Sequence, residues 1–308
     1  MTTVSVVLPA LNEEATVGAV VETITPYLGT VVHELVVMDS GSTDQTAARA
    51  VAAGAKVVQR EEVLPHIPTR PGKGEVLWRS LAATTGDIVV FMDADLVDPD
   101  PQFVPKLIAP LLSNLHTKLV RGYYRRPLGG SDTGGGRVTE LVARPLLAAL
   151  RPELSSVVQP LGGEYAGRRE LLAAIPFAPG YGVEIGILLD TYHRYGRAAI
   201  DQVNLGVRVH RNRSTVELGP MSRQIMATAF SRCGIRDTGS ELTQFISAGQ
   251  GYEEKKTAVS LCDRPPMNTL TAQPTRRHTA GICGAKVFDI VSHQEDCLRK
   301  SGLLLPDG

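Results

Sequence analysis

The chain is organised around one segment, Gly86-Asp87-Ile88-Val89-Val90-Phe91-Met92-Asp93-Ala94-Asp95-Leu96. An unbroken apolar run of about five residues between polar residues is typical of a strand buried on both faces of a parallel sheet. Asp93 and Asp95 follow this run two residues apart, so an extended backbone turns both carboxylates to the same side. Ligands of open α/β sheets bind beyond the carboxyl ends of the strands. The segment therefore predicts a core strand that presents two carboxylates at a binding site, where a divalent cation could contact either or both.

The residues before this segment alternate between strand and helix patterns. Short apolar strands are predicted at 4–8, 35–38 and 56–58, with helical patterns between them and before residue 86. This alternation predicts an α/β fold with a doubly wound, mostly parallel sheet and helices on both faces. The turn after the first strand, residues 9–14, contains no glycine, so it matches neither a dinucleotide-binding fingerprint nor a P-loop.

The composition argues against several classes of partner. The 308 residues contain 32 Lys plus Arg and 32 Asp plus Glu, so the net charge is zero. No overall field therefore favours nucleic acid or an anionic membrane. No apolar run approaches the roughly 18 residues that a membrane helix needs, and no basic segment precedes the first strand. We expect a soluble cytoplasmic protein in which any anion recognition is local.

A glycine-rich loop at 129–137 precedes an apparently helical segment, 138–150. Backbone amides at a helix N-terminus, with Arg137 beside them, would form an anion site. The same composition is also typical of a flexible linker, and the residues alone leave both interpretations open. Pro145 is expected to kink or break the helix, because it lacks a backbone donor and crowds the preceding residue.

The predicted strand 202–213 carries a candidate nitrogen ligand. Arg208, His210 and Asn212 share one parity of this strand, so their side chains would face one side. A histidine in that company, in a chain that also carries Asp-x-Asp, is a candidate metal ligand. A cation held by Asp95 and His210 would bridge a diphosphate and absorb the negative charge that develops on a leaving nucleoside diphosphate.

Two further features bear on such a transfer. The loop 134–137, together with Thr139 and Asn212, would suit an acceptor that carries phosphate or carboxylate. Glu184 lies in the first turn of a helix predicted at 183–195, where an acid either stabilises the helix dipole or belongs to a site.

Taken together, five motifs resemble those of the GT-A nucleotide-sugar glycosyltransferases. They are Pro9-Ala10-Leu11-Asn12-Glu13-Glu14, Asp39-Ser40-Gly41-Ser42-Thr43-Asp44, Asp93-Ala94-Asp95, Gly162-Gly163-Glu164 and His210-Arg211-Asn212. More narrowly, residues 4–235 resemble the family of glucosyl-3-phosphoglycerate synthases. The resemblance implies a retaining GT-A enzyme that moves glucose from UDP-glucose to D-3-phosphoglycerate with a divalent metal, commonly Mg²⁺, with Mn²⁺ as the alternative. It also implies a homodimer, and a product that leads to glucosylglycerate and methylglucose lipopolysaccharides.

The resemblance further implies roles for individual residues. The nucleotide would be held by Pro9, Ala10, Leu11, Glu13, Ser40 and Lys73. Asp93 would touch the ribose or sugar, and Asp95 with His210 would ligate the metal. Leu161, Glu184 and Arg208 would border the glucose and diphosphate, with Glu184, Asp95 and Arg208 as the catalytic candidates. The acceptor would be bound by Gly136, Arg137, Thr139 and Asn212.

The expected organisation has three regions. Residues 1–125 would form the nucleotide-sugar half, and 126–236 the acceptor-binding and metal-completing half of the same domain. Residues 237–308 would form a tail of short helices, partly disordered. For the reaction we hypothesise a same-face substitution in which the departing UDP oxygen helps to deprotonate the acceptor hydroxyl. The alternative is a covalent intermediate on Glu184.

Three other functions stay open. A sugar-phosphate nucleotidylyltransferase shares the sheet and the metal, but it normally has a glycine-rich basic loop after the first strand. A polyprenyl-phosphate glycosyltransferase has a similar N-terminal half, but it would need an apolar or amphipathic anchor that the sequence lacks. A nucleotide-sugar sensor without activity would not need the intact Asp-x-Asp and histidine.

Overall fold

The computed structural model describes residues 2–128, 131–134, 136–208 and 214–271. The strands are β1 Val4–Ala10, β2 Glu34–Asp39, β3 Lys56–Gln59, β4 Ile88–Phe91, β5 Leu119–Arg125, β6 Pro127–Leu128, β7 Ser131–Gly134, β8 Tyr165–Arg168, β9 Ile200–Val207, β10 Leu242–Ala248 and β11 Gly251–Thr257. The α-helices are α1 Val17–Ile24, α2 Thr46–Ala52, α3 Lys73–Ala83, α4 Phe103–Ser113, α5 Arg144–Leu150, α6 Arg169–Leu172, α7 Val183–Tyr195, α8 Thr215–Arg232 and α9 Met267–Thr271.

Seven strands form the central sheet, in the order β3-β2-β1-β4-β8-β5-β9. Neighbouring strands run parallel except at β8, which is antiparallel to both β4 and β5. The predicted fold class, an α/β GT-A fold with a doubly wound, mostly parallel sheet, is confirmed. The antiparallel strand β8 has four residues and contains a glycine, which is too short a pattern to be recognised in the sequence.

The apolar core lies on both faces of this sheet because the side chains of each strand alternate. Val89 and Phe91 of β4 pack on the face covered by α3, α5 and α7. Ile88 and Val90 pack on the opposite face, against α1, α2 and α4. All four side chains are fully buried, as expected for a central strand with a continuous apolar run.

The segment 137–150 carries Pro145, which was expected to kink or break the helix, and the structure shows no break there. Thr139–Ala143 forms a π-helical turn, in which the Arg144 N–H donates to the Thr139 carbonyl, and α5 follows directly. Pro145 therefore lies at the start of α5, where its missing backbone donor is tolerated. The helical path continues instead of breaking.

The prediction of a tail with short helices is wrong for residues 242–257. There β10 and β11 pair as an antiparallel hairpin. Along β10 half-buried and exposed residues alternate, but Gln244 lies on the half-buried side while Phe245 is exposed. This mixed pattern hides the strand from a search for apolar periodicity. Residues 272–308 lie outside the described residues. None of the helices in the described part of the chain combines the length and the apolar character needed to cross a membrane.

A short segment near the end of the described chain, residues 262–268, packs across α3, and we call it the strap. Glu75 of α3 accepts hydrogen bonds from Arg79 Nε at 2.6 Å and from Arg264 Nε at 2.5 Å. The Arg264 guanidinium lies 4.9 Å from the centre of the Trp78 ring. The backbone of Arg264 also pairs with Phe177, which precedes α7. The strap therefore joins α3 to the segment that leads into α7.

Replacing Glu75 by Ala tests this clamp. The change leaves the guanidinium groups of Arg79 and Arg264, which are 0% and 3% exposed, without a carboxylate. We expect the free energy of unfolding to fall by about 3–5 kcal/mol, measured by urea denaturation. Glu62→Ala, which alters an exposed residue, is the control and should change stability by less than about 0.5 kcal/mol. A loss for Glu75→Ala as small as the control would show that the cluster does not hold α3.

Candidate active site

The described residues that the sequence analysis selected line one cleft at the carboxyl ends of the strands. Its first half is lined by Pro9, Ala10, Leu11, Glu13, Ser40 and their neighbours. Its second half is lined by Gly136, Arg137, Thr139, Leu161, Glu184 and Arg208. Lys73, Asp93, Asp95 and Tyr181 line both halves. His210 and Asn212 lie outside the described residues.

Asp93 stands at the junction of the two halves, between two cations. Lys73 Nζ lies 2.5 Å from Asp93 Oδ1 and 2.7 Å from Glu184 Oε1. On the other side, Arg208 Nη2 lies 2.9 Å from Asp93 Oδ2 and 2.9 Å from Asp95 Oδ1. Asp93 thus ties the N-terminus of α3 to the residue that follows β9.

The charges of this cluster keep Lys73, Asp93 and Arg208 in their ionised forms. Burial alone would lower the pKa of Lys73, but the carboxylates of Asp93 and Glu184 outweigh it and raise that pKa well above its ordinary value. Burial would likewise raise the pKa of Asp93, yet Lys73 and Arg208 hold it far below the usual range. Burial would lower the pKa of Arg208, and Glu164, Tyr124 and the two aspartates raise it instead.

Arg208 has a second set of partners that the sequence analysis did not select. Its Nη1 donates to Tyr124 Oη at 3.0 Å and lies 3.5 Å from Glu164 Oε1. The Tyr124 hydroxyl donates to Glu164 Oε2 at 2.7 Å and accepts from Arg126 Nη2 at 2.7 Å. Glu164 is fully buried. The signal for Glu164 was its place in Gly162-Gly163-Glu164, an acid next to two glycines before a strand.

Close backbone contacts bring Lys73 and Glu184 together, since each lies in the first turn of its helix. A Cβ built on Gly74 would lie 2.0 Å from the Ala178 carbonyl oxygen, and one on Gly72 would lie 2.9 Å from the Gly180 Cα. Only glycine lets the start of α3 pack this tightly against the segment before α7. The starts of α3 and α7 can lie side by side because the glycine residues at their contact have no side chain.

The loops that follow β1 and β2 bind each other at the rim of the first half. The Ser42 hydroxyl accepts from the Asn12 N–H at 3.0 Å, and the Asn12 side chain accepts from the Thr43 N–H at 2.9 Å. Asn12 has a φ of 56°, a left-handed conformation that asparagine tolerates better than most residues. These hydrogen bonds hold the two loops together at the side of the cleft that Leu11 and Ser40 line.

The structure bears on two expectations from the sequence, the role of the glycine-rich loop and the extent of the strand predicted at 202–213. Gly136, Arg137 and Thr139 line the cleft, which favours the anion-site interpretation over a linker. Strand β9 ends at Val207, and the Arg208 N–H still donates to the Arg125 carbonyl of β5 at 3.0 Å. Residues 209–213 lie outside the described residues.

The donor set fits a divalent cation. The carboxyl groups of Asp93, Asp95, Glu164 and Glu184 gather around Lys73 and Arg208, so several carboxyl oxygens are close together at the junction. The Asp95 side chain is 35% exposed, and carboxylate oxygens suit Mg²⁺ and Mn²⁺. Among the described residues, no three His, Cys, Asp or Glu side chains are grouped closely enough to hold a metal by themselves.

Comparisons with known proteins place this architecture among transferases. Residues 5–152 match the model of glycosyl transferase family 2. The chain is 68% identical to glucosyl-3-phosphoglycerate synthase of Mycolicibacterium smegmatis over 272 residues, which cover 87% of this chain and 90% of the relative.

Two solved structures of glucosyl-3-phosphoglycerate synthase from Mycobacterium tuberculosis are also similar. One is a complex with Mn²⁺, UDP-glucose and phosphoglyceric acid, with a TM-score of 0.82, 61% identity and coverage of 87% of this chain and 91% of that chain. The other holds Mg²⁺ and UDP, with a TM-score of 0.82, 61% identity and coverage of 87% and 92%.

Gly163 offers a test of the position of Asp93. A Cβ at Gly163 would lie 2.3 Å from Asp93 Oδ2, whereas one at Gly162 would meet nothing closer than 3.4 Å. We expect Gly163→Ala to push Asp93 away from its two cations and to lower the free energy of unfolding by about 1–3 kcal/mol. Gly162→Ala is the matched control, with a loss of less than about 1 kcal/mol. Equal losses in urea denaturation would contradict the packing of Asp93 against Gly163.

Proposed function

The chain belongs to the glucosyl-3-phosphoglycerate synthase family, and from this premise we propose that it transfers glucose from UDP-glucose to D-3-phosphoglycerate with retention of configuration. The observation that carries the proposal is the continuous cleft whose two halves share Lys73, Asp93, Asp95 and Tyr181. A transferase needs such a junction, because donor and acceptor must meet at one reacting carbon.

The nucleotide-sugar belongs in the first half. Pro9, Ala10 and Leu11 continue directly from β1, and Ser40 follows β2 with its N–H bonded to the Ala10 carbonyl. Such an edge of an α/β sheet is where nucleotides bind. The diphosphate would then reach the junction, where the Lys73 ammonium supplies positive charge.

The metal belongs between the diphosphate and Asp95, with His210 as the second protein ligand. Two relatives' structures contain Mn²⁺ or Mg²⁺, and Asp95 turns a partly exposed carboxylate to the junction. When bound, the cation neutralises charge on the departing UDP. Arg208 contacts Asp95 through Nη2, so we propose that it holds this carboxylate in place.

The acceptor belongs in the second half, which presents Arg126, Arg137 and Thr139. Cationic and hydroxyl side chains suit a molecule that bears phosphate and carboxylate. Leu161, which is 9% exposed, would border the glucose between the two halves. The helical start at residue 137 supports the anion-site role of Gly136 and Arg137.

We propose that the reaction is a same-face substitution. The acceptor oxygen forms a bond to C1 of glucose as the bond from C1 to the UDP oxygen breaks, and the hydroxyl proton passes to a phosphate oxygen of UDP. In this scheme the acceptor and the leaving group lie on the same face of C1. Glu184 already pairs with Lys73 at 2.7 Å and has a side chain only 5% exposed, so we assign it to orienting Lys73.

Three expectations stay predictions here: the homodimer, the cytoplasmic location and the division into regions 1–125, 126–236 and 237–308. The roles of Asp93, His210 and Asn212 are likewise proposals. Size-exclusion chromatography with light scattering would measure the oligomeric state directly.

Replacing Asp95 by Asn tests the proposed function. We expect metal-dependent UDP release from UDP-glucose and 3-phosphoglycerate to fall by about 100-fold or more, because an amide binds Mg²⁺ more weakly than a carboxylate. The matched control is Asp98→Asn, since Asp98 is exposed and lines neither half of the cleft, and it should keep wild-type rates. Release of pyrophosphate, or UDP-glucose binding without turnover, in the wild-type protein would overturn the proposal.

Intact-protein mass spectrometry during turnover tests the substitution mechanism. We expect no glucosyl adduct on the wild-type protein, because Glu184 is paired with Lys73 and has no role as a nucleophile in this scheme. The donor alone and the donor with 3-phosphoglycerate should give the same mass. A mass increase of one hexose that disappears in Glu184→Gln would replace the same-face scheme by a covalent one.

A further inference from the structure

Arg121 of β5 is fully buried and lines neither half of the cleft. Within the described part of the chain it forms no ion pair with a carboxylate. Its Nη2 lies instead within hydrogen-bond distance of three backbone carbonyls, those of Gly162 at 2.8 Å, Pro160 at 3.0 Å and Gln159 at 3.4 Å. Burying a guanidinium is costly unless polar groups compensate it, so these carbonyls are the partners on which its position depends.

The three carbonyls belong to one turn, residues 159–162. The Gly162 N–H donates to the Gln159 carbonyl at 3.3 Å, so Leu161 is the third residue of the turn and follows a proline at the second, where proline is favoured. Residues 160–162 are buried. Buried carbonyls need a donor from the protein, and Arg121 supplies one to this turn.

The sheet and an aromatic ring hold the Arg121 guanidinium in place. Arg121 pairs with Tyr165 of β8, and its Cζ lies 4.7 Å from the centre of the Tyr165 ring, a distance at which a guanidinium and an aromatic ring attract each other. The Tyr165 ring packs in turn on Phe91 of β4, with the ring centres 5.1 Å apart. Phe91 lies two residues before Asp93. Arg121 therefore links the turn to the strand that presents Asp93.

The turn contributes directly to the cleft. Leu161 lines its second half, and Gly163, the next residue after the turn, packs against the Asp93 carboxylate. The carbonyls on either side of Leu161 both bind Arg121, so this arginine restricts the backbone before and after Leu161. A loss of these bonds would loosen the residue that borders the glucose in the proposed function.

We propose that Arg121 is a positioning residue for the transferred sugar: it holds the turn 159–162 so that Leu161 meets the glucose of the bound nucleotide-sugar. This inference rests on the proposed function and deepens it. The nucleotide is assigned to the first half of the cleft, where the loops after β1 and β2 are held by their own hydrogen bonds. Arg121 therefore contributes to the affinity for UDP-glucose and not to the affinity for UDP.

The test compares two ligands that differ only by the sugar. Dissociation constants of UDP-glucose and of UDP are measured by calorimetry with Mg²⁺ and without acceptor. For Arg121→Met, which keeps an unbranched side chain but removes the donors, we expect UDP-glucose to bind about 10-fold more weakly, while UDP changes by less than about threefold. The kcat should also fall, because the glucose is no longer held in one position. Arg121→Lys keeps a donor that reaches fewer carbonyls, so its loss should be intermediate.

Arg168→Met is the matched control. Arg168 also donates to three backbone carbonyls, those of Thr117, Leu111 and Asn114, but it lines neither half of the cleft. This variant should lose stability in urea, as Arg121→Met does, and keep both dissociation constants.

Equal weakening of the two ligands by Arg121→Met, or no weakening of either, would overturn the positioning role. Arg121→Lys is judged by the same comparison if Arg121→Met does not fold. Failure of the proposed function would look different, because a wild-type protein that bound UDP-glucose but did not transfer its glucose to 3-phosphoglycerate would contradict that function and leave the binding comparison intact.

Discussion

The site depends on one carboxylate held between two cations. Asp93 follows the most buried strand of the sheet, Lys73 begins α3, and Arg208 follows β9 near the sheet edge. Lys73 also contacts Glu184, and Arg208 also contacts Asp95 and Glu164, but Asp93 is the carboxylate that contacts both cations. The ion pairs therefore fix the relative positions of three distant parts of the chain, and the cleft forms around them.

Packing that lies away from the cleft supports this arrangement. Gly72 and Gly74 allow the start of α3 to touch the backbone of the segment before α7, and Gly163 leaves room for the Asp93 carboxylate. On the far side of α3, Glu75 binds Arg264 of the strap. Each contact removes freedom from an element that carries a site residue, which is how a fold pre-organises charges before a substrate binds.

The charges on the two sides of the cleft differ, and this difference matches a two-substrate reaction. The carboxylates gather at the junction, where a divalent cation would add positive charge, whereas Arg126 and Arg137 lie on the acceptor side. The Tyr124 hydroxyl joins the two sides by binding Arg126 and Arg208 together. The two halves of the cleft are thus parts of one hydrogen-bonded network, so a change on one side is expected to affect the other.

The sequence alone determined the central strand, the aspartate pair and the bounds of the helix at 183–195, because burial and periodicity are local properties that a window of residues carries. The resemblance of the motifs to a known family also selected residues that line the cleft in the described part of the chain. Only the tertiary structure decided which charges meet: Arg208 bonds Tyr124 and Asp93, 84 and 115 residues away, and Arg264 bonds Glu75, 189 residues away. Such pairings follow from strand order and from side-chain packing across the sheet. No local pattern in the sequence encodes them, because the partner of a guanidinium is the acceptor that lies nearest to it in the folded chain.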